Sequence, residues 1–295
     1  MLLLTGATGL VGTPLLRRLV AARVPVRCLV RDPKRLGPER VRVQIALGDL
    51  TDPPSFRNAL RGVKTVVHLA GAIRDQSAGS IEELNGIATW RMVQAAERAG
   101  VEHFIFLSAL GAGSHNRTRY LRAKALAERA VVDSRLRHTI VAPSLVYAPG
   151  DRWATLMGRL ALAPVVPLPG SGSARSQPIW AEDVADCLMA IVQAPAAAAV
   201  AAARHELAGP DTLSATEAAH TILRAAGRER PVLPVPTFIA SRGLRVAEAL
   251  AKSRTPVTWD EAELLQVPMT TRHGTADAEA LGVVPQRMAA VLGTV

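Results

Sequence analysis

The sequence predicts an α/β protein, a doubly wound parallel sheet with a small interleaved C-terminal lobe. Three observations lead there. Short apolar runs alternate with amphipathic helical stretches over the first half of the 295 residues. Strands separated by helices build a parallel sheet covered on both faces. The first run passes at once through a glycine turn into a helix, MLLLTGATGLVGTPLLRRLV. After Pro149 the alternation breaks, and Pro, Gly and Ser punctuate the chain.

Leu2, Leu3 and Leu4 form the first strand. Gly6, Gly9 and Gly12 follow, and Leu15, Leu16, Leu19 and Val20 then recur at helical spacing. Pro14 falls in the first helical turn, where its missing N–H does little harm. Residues 26–30, 41–47 and 65–69 read as the next three strands. A helix over 82–99 is closed by Gly100, strand five covers 103–107, a helix covers 117–132 and strand six covers 139–142. A helix over 151–161 precedes a Pro/Gly/Ser-rich passage over 164–178. Next come a helix over 183–193, with Asp183 as its N-cap, and an Ala-rich connector over 194–203. A strand at 205–207 and a helix over 215–226 follow. These elements make a Rossmann core over residues 1–230, with part of the small lobe inserted near 151–178, and a substrate-side lobe over 231–295.

Composition narrows the function. Hydrophobic residues make up 49% of the chain, enough for a sizeable core. Aromatic residues make up 3%, too few for stacking platforms on single-stranded nucleic acid. The formal net charge of +10 comes from scattered arginines, the only lysines being Lys34, Lys64, Lys124 and Lys252. No basic run reaches the length of a binding patch, so no specific nucleic-acid partner is expected. Cys28 and Cys187 sit in apolar contexts and read as buried thiols of a reducing compartment, which suggests a cytoplasmic protein. The N-terminus lacks a basic leader, and no apolar stretch is long enough for a membrane span.

The glycine turn is an anion cradle. Gly6 permits the tight turn, Gly9 lets backbone approach a pyrophosphate, and Gly12 lets the helix sit close to the strand. Thr5, Thr8, Leu10 and Val11 complete the turn, and the N–H groups at the helix start face the anion. At the tip of the second strand, an acid would favour NAD and an arginine the 2′-phosphate of NADP. Arg31, with Lys34 or Arg35 beside it, argues for NADP(H) over NAD(H), and Asp32 is the competing feature. Tyr120 and Lys124 stand four apart and share a helix face. An ammonium so placed stabilises tyrosinate and makes an acid/base pair. Ser108 ends strand five, at the sheet edge where α/β sites lie, and its hydroxyl could orient a substrate carbonyl. Asn85 reads by itself as a polar residue near a helix start. Trp153, Trp180, Phe238 and Trp259 are candidates for the substrate pocket, with core packing as the plainer role.

TGATGLVG resembles the turn of extended and atypical short-chain dehydrogenase/reductases. The resemblance spans roughly residues 1–193. It implies that Asp49 and Leu50 meet adenine, and that Ala70 and Gly71 in VVHLAGA let backbone pass the cofactor. It also implies that Pro143 and Ser144 lie beside the nicotinamide amide, and that Asn85 supports a water relay to Lys124. Asn85, Ser108, Tyr120 and Lys124 then form the four-residue catalytic set. The passage from Gly150 to Ala185 resembles a branch that includes the NADPH-binding accessory subunit of respiratory complex I and proteins labelled sugar-nucleotide epimerases. One departure stands out. True epimerases carry an arginine seven residues before the Asp-Val-Ala turn, where this chain has Ser176, with Arg175 one place off. On an extended segment that slip turns the side chain to the other face.

The expected function is NADP(H)-dependent hydride transfer at a carbonyl or alcohol of a small-molecule substrate. The alternative is a non-catalytic NAD(P)H-binding accessory subunit or redox sensor, as an oligomer or attached to a respiratory complex.

Overall fold

The computed structural model describes residues 1–194, 202–242 and 257–293. The chain runs β1 (Leu2–Thr5), α1 (Gly12–Ala21), β2 (Val26–Val30), β3 (Gln44–Leu47), a single turn α2 (Pro53–Phe56) and β4 (Thr65–His68). It continues through α3 (Ala88–Arg98), β5 (His103–Leu107), α4 (Arg119–Val132) and β6 (Arg137–Pro143). The second part comprises β7 (Val146–Tyr147), α5 (Arg152–Leu160), β8 (Val166–Pro169), β9 (Arg175–Ser176), β10 (Ile179–Trp180) and α6 (Ala181–Gln193). Then come β11 (Ala202–Leu207), β12 (Leu213–Ser214), α7 (Ala215–Ala225) and β13 (Val232–Val235), with short helices at Trp259–Leu264, Ala276–Ala280 and Met288–Leu292.

Seven strands form the central sheet in the order β11-β6-β5-β4-β1-β2-β3, every pair parallel. β1 pairs with β2 on one side and β4 on the other, so the strand order reverses there and opens a crevice at the strands' C-terminal ends. Leu2, Leu3 and Leu4 are buried because both sheet faces are covered. Leu15, Leu16 and Leu19 of α1 join Val184 and Leu188 of α6 in the core on one face. Met92, Val93, Ala127 and Val131 join Phe104 and Phe106 on the other. A third apolar cluster joins Tyr147, Met157, Val166 and Leu168 to Ile222, Val232 and Met288.

Several elements differ from expectation for identifiable reasons. The third strand starts at Gln44, because Pro33, Pro38 and Gly37 (φ +62°) turn residues Pro33–Val41 into 3-10 coils and leave Val41 80% exposed. The helix expected over 82–99 opens with a π-turn over Glu83–Ile87 before α3 begins. α4 begins at Arg119, because the Thr118 hydroxyl accepts from the Leu121 N–H and caps it. Asp183 is not an N-cap. α6 starts at Ala181, and the buried Asp183 carboxylate instead accepts from the Gln286 N–H at 2.8 Å. Strand six is longer than expected at both ends, and the seventh strand begins at Ala202. Most of the Ala-rich connector lies outside the described residues.

His68 is fully buried at the end of β4, with Nδ1 2.9 Å from Thr5 Oγ1 and Nε2 3.1 Å from Thr89 Oγ1. Burial first, then the nearby Lys124 charge, pushes its pKa from 6.5 down to about 3. Burial likewise lowers His103, bonded to Thr139 Oγ1, to about 4. Both rings are therefore neutral when folded, and below 6.5 the unfolded chain binds more protons. Stability is expected to fall as the pH drops through that value, by up to about 1.4 kcal/mol per pH unit per ring. Denaturant unfolding at pH 7, 6 and 5 measures it. A His68→Asn variant should show a shallower fall, and an unchanged wild-type midpoint across the range would refute the assignment.

Candidate functional site

The glycine turn joins β1 to α1 under tight steric limits. Gly6 has φ +70°, and a Cβ there would stand 2.7 Å from the Ala70 nitrogen. A Cβ on Gly12 would stand 2.0 Å from the Gly6 carbonyl oxygen. Gly9 N–H donates to that same oxygen at 2.9 Å. Thr5 Oγ1 bonds to His68 and accepts from the Ala70 N–H at 3.3 Å, which fastens the ends of β1 and β4 together. α1 starts without a side-chain cap and has no acidic residue in its first turn. Its N-terminal dipole is thus offset by no side-chain cap and no acidic residue of its own first turn.

A cavity of about 540 Å³ lies along this turn. Gly6, Thr8 and Gly9 of the turn line it together with Arg31, Asp32, Asp49, Leu50, Ala70 and Gly71. Leu10 instead lines a neighbouring cavity, while Val11 and Gly12 are buried in the turn's packing against the core. Arg31 Nη1 stands 4.0 Å from Asp49 Oδ2. Asp32 accepts from the Lys34 N–H at 2.9 Å and caps the coil that follows β2. Asp49 accepts from the N–H and hydroxyl of Thr51. Sequence reasoning missed Gly48, Gln76 and Leu84, which also line this cavity. Gly48 had a signal, standing directly before Asp49. Gln76 arrives from a loop without a motif, and Leu84 from the π-turn before α3.

The second group gathers at the C-terminal end of β5. Buried Lys124 Nζ donates to the Leu107 carbonyl at 2.8 Å, and stands 4.9 Å from the Phe106 ring centre and 5.8 Å from that of Tyr120. Ser108, the next residue after Leu107, has a buried hydroxyl with no hydrogen-bond partner among the described residues. Gly71 stands between Asn85 and Lys124, since a Cβ there would lie 2.6 Å from Asn85 Oδ1 and 3.3 Å from Lys124 Nζ. Asn85, inside the π-turn, donates to the Ala72 and Ile81 carbonyls and accepts from the Ala72 N–H at 3.3 Å. Burial lowers Lys124 to about 8, opposed by the Glu128 charge, and raises the partly exposed Tyr120 to about 12. Lys124 thus lies near the Tyr120 ring, Asn85 and the carbonyl that precedes Ser108.

The Pro143–Ser144 segment behaves differently. Both residues are buried, and Ser144 Oγ donates to the Met269 carbonyl at 2.6 Å and accepts from the Gln177 N–H at 3.0 Å. Its hydroxyl is thus committed to holding the C-terminal segment. Tyr120, Leu264 and Val267 each pack against the apolar cluster of Ala109, Leu110, Leu121, Ala142 and Met269. Sequence reasoning also missed the ion pairs that pin the C-terminal segment. Arg74 pairs with Glu261, and Arg119 pairs with Asp75, Glu82 and Asp260. These partners are far apart along the chain, so no local spacing signals the pairs.

Among the described residues, no helix is long and apolar enough to cross a membrane, and no group of three or more acidic, histidine or cysteine side chains could hold a metal. The profile of a family described as NAD(P)H-binding matches residues 6–195. A ceramide reductase of Caulobacter vibrioides is 31% identical over 194 residues, covering 65% of this chain and 61% of that protein. The alpha subcomplex subunit 9 of the mitochondrial NADH dehydrogenase of Arabidopsis thaliana is 29% identical, covering 72% of this chain and 55% of that protein. The chain thus spans less than two thirds of the length of either relative. The structure of an NADPH-dependent quinone oxidoreductase from Escherichia coli, complexed with NADPH, overlays with a TM-score of 0.76 at 16% identity, covering 99% of each chain. That likeness is one of fold.

Proposed function

We propose, from the premise that this chain belongs to the NAD(P)H-binding family, that it is an NADP(H)-dependent oxidoreductase of the extended short-chain type, acting at a carbonyl or alcohol carbon. The observation that carries this reading is the unpartnered, buried Ser108 hydroxyl at the end of β5, directly after the Leu107 carbonyl to which Lys124, the partner of Tyr120, donates. A buried polar atom without a partner is costly and marks a place where something polar is meant to bind.

The residues fit a dinucleotide. The glycine turn and uncapped α1 would hold the pyrophosphate, and Arg31, Asp49 and Leu50 would surround the adenosine. The bound dinucleotide supplies or accepts the hydride. Tyr120 gives its phenolic proton to the substrate oxygen during reduction and takes it back during oxidation. Lys124, a cation at neutral pH, stabilises the phenolate that results. Ser108 donates to the same substrate oxygen. Asn85 acts as a positioning residue, because its amide is spent on the backbone at Ala72 and Ile81 and holds the loop that carries Gly71 against Lys124.

Asp32 is engaged in capping, which leaves Arg31 to meet a 2′-phosphate, with Arg35 also on the cavity wall. Arg31→Ala is expected to weaken NADPH binding about 10- to 100-fold, the worth of a charge-assisted hydrogen bond, and to leave NADH nearly unchanged. Calorimetric titration of both nucleotides measures it, and an equal loss for both would argue against NADP selection by this arginine.

The pH profile follows from Lys124. Burial holds it at about 8, so its charge is present below that pH and lost above it. kcat/KM for carbonyl reduction is expected to decline above about pH 8. Lys124→Arg, which keeps its charge, should move that decline upward. An identical limb in both proteins would assign it to another group.

A second reading has its own support. The helix Trp259–Leu264 packs against α4, the helix that carries Tyr120, which suits a subunit that keeps its nucleotide without turnover. That reading predicts bound NADPH that no carbonyl oxidises, and co-purification with respiratory subunits.

A further inference from the structure

A second cavity, of about 770 Å³, opens on the other side of the glycine turn. Thr8 and Gly9 line both it and the nucleotide-side cavity, so the two adjoin at that turn. Its walls are apolar: Trp153 and Leu156 come from α5, Leu145 and Val146 follow β6, and Trp180 and Leu265 complete it. Leu264 lines it too, and belongs to the apolar cluster that includes Tyr120. The cavity thus adjoins the nucleotide cradle, and part of its wall belongs to the helix Trp259–Leu264, which packs against α4, the helix of the proposed proton donor.

The charges at its rim are already satisfied. Arg17 pairs with Glu182 at 2.6 Å, and Arg152 lies 3.9 Å from Glu261. Asp151 accepts from the N–H groups of Ala148 and Ala154 and caps α5. The lining thus carries one more carboxylate than cation. Such a rim repels the two negative charges of a nucleoside diphosphate. Arg175, on exposed β9, does not line the cavity, so it supplies no diphosphate clamp there.

We infer that this cavity binds the hydrocarbon body of an apolar carbonyl compound, a ketone or aldehyde with an alkyl chain of roughly a dozen carbons. Its volume falls in the range of about 300–1,000 Å³ common to small-molecule sites, and its walls recognise apolar area. This rests on the oxidoreductase reading for the fate of the carbonyl, but the binding does not depend on it.

The test uses the full chain with NADP⁺ bound, and the methyl ketones from hexan-2-one to dodecan-2-one as probes. Tryptophan emission reports binding, since Trp153 and Trp180 form the wall. Each added methylene is expected to tighten binding about three- to fourfold, the equivalent of burying one CH₂. Ala148→Phe, which fills the cavity, should weaken dodecan-2-one at least about tenfold while NADPH titrates as in the wild type. Should that variant fail to fold, Leu156→Glu places a charge in the same wall and is expected to have the same effect. Affinity that is flat with chain length, or UDP-glucose binding more tightly than dodecan-2-one, would overturn the inference. Chain-length-dependent binding without NADPH oxidation upholds the cavity assignment and refutes hydride transfer. NADPH oxidation by short polar carbonyls with a flat series does the reverse.

Discussion

Tyr120→Phe is expected to lower kcat for carbonyl reduction by about 10²- to 10⁴-fold, the usual worth of a positioned proton donor. The Kd for NADPH should stay within about twofold, because the phenol is not needed to hold the nucleotide. The ring itself should pack unchanged, since it lies against the apolar cluster around Leu121 and Met269 and only the hydroxyl is lost. The expectation follows from three facts together. Tyr120 is lifted to about 12 by burial, so it carries a proton at neutral pH. Lys124 is held at about 8 and is mostly a cation there. The cation lies 5.8 Å from the ring centre, close enough to favour a phenolate as it forms. Neighbouring Arg119 is engaged with three carboxylates and keeps the start of α4 in place. Steady-state assays against a responsive ketone measure the effect. Turnover close to wild type would exclude Tyr120 as the donor.

Gly12→Ala is the second large effect. The added Cβ would meet the Gly6 carbonyl oxygen at 2.0 Å and the Ala7 Cα at 2.9 Å, and neither is the free end of a flexible side chain. Relief requires α1 to move away from β1, which opens the core around Leu15, Leu16 and Leu19. The expected cost is about 3 kcal/mol or more in unfolding free energy, at the upper end for overpacking. Any folded protein should bind NADPH at least about tenfold more weakly, because the cradle's N–H groups lose their alignment. Gly158→Ala is the matched control. Nothing lies within 4 Å of a Cβ there, and the position is inside α5. It should be neutral or stabilising by up to about 1 kcal/mol. Chemical denaturation of the two variants measures both. A Gly12→Ala protein as stable as Gly158→Ala would contradict the close packing of α1 on the turn.

The α/β frame was legible because its signals are local. β2 and β5 begin and end where the apolar runs do. The turn that positions the nucleotide cavity reads directly from three glycines, and the Tyr120–Lys124 pair from helical spacing. The elements that resisted depend on backbone chemistry or distant partners. The third strand was overextended because Val41 is apolar, yet the prolines before it impose coils and leave it in solvent. Asp183 looked like a helix cap, and only the fold brings Gln286 to its carboxylate. Ser144 sits where the family resemblance places a nicotinamide contact, but its hydroxyl is taken by Met269, 125 positions along the chain. The ion pairs that tie the helix Trp259–Leu264 to the rest of the site join Arg74 to Glu261 and Arg119 to Asp260, residues so distant along the chain that no periodicity could announce them.

The central claim is that the crevice between β1 and β4 holds NADP(H) where Tyr120 and Lys124 can serve it. Calorimetric titration of the wild-type chain with NADPH and NADH tests it most directly. A saturable one-to-one isotherm for NADPH, at least about tenfold tighter than for NADH, is the expected result. The absence of affinity for either nucleotide would contradict it.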